Sequence, residues 1–124
     1  MEKSFLIAAS IFGFLAVAIG AFGAHGLSAY FEDHPDLEDN YHTAVLYQMF
    51  HVVGLIAVAW AAAQWDQSAF TWSGYAFIAG ILLFSGSLYI LSLTGIRWLG
   101  AITPLGGISF LAGWALLAIG VWRS

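Results

Sequence analysis

Four histidines stand in a chain of 124 residues with only three Lys or Arg and seven Asp or Glu. Two of them, His25 in "GAFGAHG" and His51 in "YQMFH", sit in otherwise apolar runs. Tyr47 and His51 are four apart, a spacing that puts both on one face of a helix, and Gln48 shares that face more loosely. Ser85 and Ser87 in "FSGSLY" and Thr103 in "TPLGG" are further polar groups in apolar surroundings. A histidine titrates near neutrality, so this set has the groups for a proton relay or for holding a small polar solute. Two imidazoles on neighbouring helices are also the axial pair that haem takes. The same residue types serve equally well as hydrogen-bonding glue between helices.

Several chemistries lack their parts. There is no cysteine, which removes disulfides and thiolate metal sites. Zinc or copper would have to use His25 and His51, and the third carboxylate or thiolate usual for zinc is missing. No metal and no cofactor is therefore expected, with haem as the alternative. Ser, His and Asp all occur, but the carboxylates fall outside the apolar runs and no nucleophile elbow is present. The reading is non-enzymatic. Glu32, Asp33, Asp36, Glu38 and Asp39 form an acidic strip, flanked by His34 and His42, that matches no calcium loop and reads as solvated. With a net charge of −4 and three cations no basic patch is possible, so nucleic acid is not an expected partner.

The elements that must position these groups are membrane helices. The chain is 61% hydrophobic and 8% charged, far below the ~25% charged residues of a soluble domain. Runs of about 20 apolar residues cross a bilayer. Four are legible, at about residues 4–31, 43–64, 72–93 and 101–122. The expected fold is a single all-α domain, an integral membrane four-helix antiparallel bundle, because the links are too short for anything but antiparallel neighbours. The first run exceeds the 7–15 apolar residues of a signal peptide and is read as a retained span. It carries no charge or proline before Glu32, so its helix is expected to continue to about Phe31. That would put His25 about 9 Å below the outer end and His51 about 13 Å in on the second span. Thr103 is expected to cap the fourth helix, with Pro104 in its first turn. All the polar motifs then meet in the outer half of the bilayer, above an inner half almost wholly apolar.

Small residues recur every seven positions. Gly106, Gly113 and Gly120 do so in the fourth span, Ser73, Gly80 and Ser87 in the third, and Ala9, Ala16 and Gly23 in the first, beside Gly13 and Gly20. That period keeps one seam facing a partner helix, and small residues let backbones close up where lipid supplies no hydrophobic drive.

The motifs "GAFGAHGL", "TAVLYQMFH", "FSGSLY" and "TPLGGISFLAGW" resemble, in order and spacing, the domain-of-unknown-function 423 family. These are small four-span inner-membrane proteins of bacteria, similar also to eukaryotic transmembrane protein 256. The resemblance implies fold and membrane location but no activity. Lys3 and Arg123 against Arg97 then place both termini in the cytoplasm by the positive-inside rule. The expected function is a binding protein or an accessory subunit of a membrane assembly. Its partners would be the bilayer and other membrane subunits or a second copy of the chain. The alternative is a transporter or proton-relay component.

Overall fold

The computed structural model describes residues 2–124 and is helical almost throughout. Helix α1 spans Glu2–His25, α2 Ser28–Asp33, α3 Pro35–Gln64, α4 Ser68–Gly80, α5 Gly86–Thr94 and α6 Thr103–Trp122. A wide π-turn, Ile81–Ser85, joins α4 and α5 into one rod, and a 3₁₀ turn, Arg97–Ala101, leads into α6. Four of these rods are long and apolar enough to cross a membrane. The chain is an all-α, four-helix antiparallel membrane bundle.

The order of packing follows from the contacts. α1 lies along α3, α3 lies against the α4–α5 rod, and α4 lies against α6. The two middle rods form the core, and α1 and α6 are flanking helices with broad outer faces. One end of the bundle gathers the termini, where the Gln67 side chain donates to the carbonyl of Arg123 at 3.2 Å. At the other end Tyr30 donates to the Ser92 carbonyl at 2.9 Å, and Arg97 pairs with Asp36. α3 has 30 residues, about 45 Å, so its acidic first turns project beyond a ~30 Å hydrocarbon layer.

The first helix stops earlier than expected. It ends at His25, and the amides of Gly26 and Leu27 both turn back to the Phe22 carbonyl. Ser28 donates its hydroxyl to the His25 carbonyl at 3.2 Å, taking up one of the acceptors left free at the helix end. The bend has a packing reason. It lets Phe31 bury against Leu37, Tyr41, Leu91 and Leu99, where a straight helix would carry it past the bundle. Gly95, at φ 74°, ends α5 in the left-handed region, and its amide returns to the Leu91 carbonyl at 2.7 Å.

α4 and α6 are zipped by phenylalanine on glycine. The Phe70 ring lies over Gly120, Phe77 over Gly113, and Phe110 over Gly80. At the π-turn the contact tightens further. Gly106 faces the backbone nitrogen and Cα of Phe84 so closely that a Cβ would collide with main chain. Gly23 is covered by the Tyr41 ring. Gly13 and Gly20 are looser: a Cβ there would meet Val52 and Val45 at an ordinary 3.5 Å each.

Candidate functional site

His51 is 4% exposed and is held from several directions. Its Nδ1 is 2.7 Å from the carbonyl of Tyr47, one turn back on α3. The indole Nε1 of Trp114, on α6, lies 3.0 Å from Nε2. A carbonyl only accepts and an indole N–H only donates. His51 is therefore the neutral tautomer with its proton on Nδ1. The ring also stacks flat on Phe110, centroids 3.5 Å apart and planes 4° from parallel. Phe77 closes another side at 5.5 Å.

Gln48 lies three residues before His51 on α3 and reaches other helices. Its amide nitrogen donates to the Phe12 carbonyl on α1 at 2.7 Å, and its oxygen accepts from the Tyr89 hydroxyl on α5 at 2.6 Å. One side chain thus ties three rods together. Ser85, at the end of the π-turn, donates to the Ala44 carbonyl at 2.8 Å. Ser87 and Thr103 share a hydrogen bond of 2.7 Å between α5 and the start of α6. Contrary to the sequence expectation, Thr103 does not cap its own helix: its hydroxyl is engaged with Ser87. Among the described residues no buried side-chain nitrogen or oxygen lacks a partner.

The expected cluster is therefore not one cluster. Gln48 serves the α1–α3–α5 junction, His51 the α3–α6 junction, and Ser87 with Thr103 the entry to α6. His25 joins none of them. It is exposed at the end of α1, level with the part of α3 about eleven residues before His51, since Gly13 meets Val52 and Gly20 meets Val45. That separation is about 16 Å along the axis, and His51 faces α6 rather than α1. The two histidines cannot both ligate one haem iron or one metal ion in this arrangement. The expected contrast between halves also weakens. Ser73, near the other end of the bundle, is fully buried and donates to the Gly113 carbonyl at 2.6 Å. Ser109 does the same toward Ala76 at 2.6 Å.

Two partners escape the reading of the sequence. Trp114 fixes His51 and Tyr89 fixes Gln48. Both lie in the quoted motifs, but their roles depend on helix rotation. The rotation had a signal: Phe70, Phe77 and Phe84 repeat every seven residues, in step with Gly120, Gly113 and Gly106.

Beside His51 the bundle is not closed. Between α3 and α6 lies an open groove of about 510 Å³ on the outside of the bundle, walled by Tyr47, Phe50, His51, Gly107, Phe110 and Trp114.

Residues 19–107 match the family model described as "Protein of unknown function (DUF423)". The chain is 47% identical to the UPF0382 membrane protein YwdK of Bacillus subtilis over 118 residues, 94% of each chain. It is 44% identical to the UPF0382 inner membrane protein YgdD of Escherichia coli K12, over 98% of this chain and 92% of that one. A Staphylococcus haemolyticus membrane protein of the same UPF0382 group is 42% identical over 98% of this chain and 97% of its own. No solved structure matches.

Proposed function

Because the chain belongs to the DUF423 family of membrane proteins of unknown function, we propose that it acts as a non-catalytic binding or assembly subunit of the bacterial inner membrane. The observation that carries this reading is the state of the buried polar groups. Gln48, His51, Ser73, Ser85, Ser87 and Ser92 all have hydrogen-bond partners within the fold. A catalyst needs a group poised for its substrate, with geometry and protonation matched to the step. A proton relay needs neighbours that can accept and release protons, and His51 has instead a main-chain carbonyl and an indole N–H.

The flanking position of α1 gives the protein a face to offer. Its mid-span carries Ile7, Ile11, Phe14 and Val17 outward, each more than half exposed. Such a face meets lipid, another subunit or a second copy. The test is site-specific photocrosslinking in native membranes with a benzophenone amino acid at Phe14, compared with one at Trp60 on α3, followed by native gels in mild detergent. A discrete larger adduct from Phe14 supports assembly. Lipid adducts only, with a monomer-sized band under gentle extraction, overturn it.

We orient both termini toward the cytoplasm. Lys3 and Arg123 lie at that end, while Arg97 at the other is paired with Asp36. The absence of cysteine makes the test clean. Single cysteines at Ser124 and Glu32 should react with a membrane-impermeant maleimide in intact spheroplasts only at position 32. The reverse pattern inverts the topology.

A further inference from the structure

We propose that the groove between α3 and α6 is a binding slot for a neutral, lipid-soluble molecule with a carbonyl-bearing flat ring on an apolar tail, a quinone-type ring, and that the Tyr47 hydroxyl donates to that carbonyl. The slot belongs to different helices from the α1 face, so it stands or falls separately from the assembly reading.

Size and shape come first. About 510 Å³ lies within the ~300–1,000 Å³ of ligand sites, and the walls are aromatic. The Tyr47 and His51 planes differ by 18°, Tyr47 and Phe110 by 22°, and His51 and Phe110 by 4°. His51 and Phe110 stack on each other and are almost wholly buried, so the wall is a block of rings in one orientation, and Tyr47, nearly parallel to both, is the exposed ring along which a flat guest lies. The walls are also fixed in advance. The bonds of His51 to Tyr47 and Trp114 hold its ring, and Tyr47 stacks on Phe84 of the π-turn at 4.5 Å.

Polarity then selects the guest. The slot has no charged side chain, so a charged head is not matched there. Tyr47 supplies its free donor. The phenols of Tyr30, Tyr41 and Tyr89 each donate within the fold, whereas that of Tyr47 has no partner among the described residues, and Tyr47 is an exposed residue lining the slot. Tyr75 is also unpartnered, but it sits beside Trp72 in the first turns of α4, where phenols reach the aqueous interface.

Depth selects among carbonyls. His51 stands level with the middle of α1, and Tyr47 is one turn, about 6 Å, to its outer side. The hydrocarbon extends about 15 Å from the midplane. Phospholipid ester carbonyls lie at that edge, above Tyr47. A ring dissolved in the hydrocarbon brings its carbonyl to the hydroxyl directly.

The test uses the whole protein in phosphatidylcholine nanodiscs and equilibrium binding of a tritiated decyl-tailed 1,4-benzoquinone. Saturable binding of one probe per chain is expected. Tyr47→Phe keeps the ring and loses the donor, and should weaken binding about tenfold, the worth of one neutral hydrogen bond. Gly107→Leu should abolish binding by filling the slot. A Cβ at Gly107 has its nearest neighbour, Phe84 Cδ2, 4.0 Å away, so the fold has room for it. Three results would each overturn the proposal: no saturable binding, equal affinity in Tyr47→Phe, or displacement of the probe by n-decylbenzene as well as by unlabelled quinone. The last would mean that any apolar tail fills the groove.

Discussion

Trp114 donates its indole N–H to Nε2 of His51 across 3.0 Å, and this bond joins α6 to α3 in the wall of the groove between them. It turns the most reactive-looking side chain of the sequence into a structural tie. His51 and Trp114 should therefore be energetically coupled. In a double-mutant cycle of His51→Phe and Trp114→Phe, followed by SDS unfolding in mixed micelles, the coupling energy should be about 1 kcal/mol, within the range of interhelical hydrogen bonds in membranes. A coupling near zero would mean that the bond does not hold the helices.

Gln48 predicts a recovery. Gln48→Leu leaves the half-buried Tyr89 hydroxyl without its acceptor, which costs about 1 kcal/mol. Adding Tyr89→Phe removes the orphaned group and should return part of that stability. Further loss in the double variant, measured by the same unfolding assay, would show that the pair contributes more than its hydrogen bond.

Glycines of the two flanking helices should differ sharply. Gly106→Ala sets a Cβ against the main chain of Phe84, which cannot rotate away. It should cost about 1–3 kcal/mol or more. Gly13→Ala meets Val52 at 3.5 Å and should stay within about 0.5 kcal/mol of wild type. Equal effects would mean that α6 does not approach the π-turn as closely as described.

Ser87 and Thr103 offer a milder case. Their shared hydrogen bond steadies the entry to α6. Thr103→Val keeps the shape and removes the hydroxyl. It should cost roughly 0.6 kcal/mol and at most about 1.7. Hydrogen exchange of the Arg97–Ala101 turn should rise in the variant. Unchanged exchange would show that the turn is held by packing alone.

The architecture was legible because it rests on composition. Long apolar runs and short links leave little choice beyond an antiparallel membrane bundle, and the seven-residue spacing of Gly106, Gly113 and Gly120 does mark the face packed on α4 and the π-turn. The polar groups were a different matter. A one-dimensional reading gives depth along a helix but not rotation about it. Gln48 and His51 are only three residues apart, yet one reaches α1 and α5 while the other reaches α6. Depth failed too at His25, because nothing in "GLSAYF" announces a bend. The burial of Phe31 drives it, and that is a tertiary effect. Trp114 lies within "TPLGGISFLAGW", but the role of its N–H depends on the rotation that turns α6 toward His51.

His51 is a neutral tie between α3 and α6. The most direct test is the ¹⁵N spectrum of the imidazole in protein reconstituted in lipid at neutral pH, with and without Trp114→Phe. The structure predicts a proton on Nδ1 and a bare Nε2 whose shift moves when the indole N–H is removed. A proton on Nε2, a doubly protonated ring, or an Nε2 signal indifferent to Trp114 would contradict it.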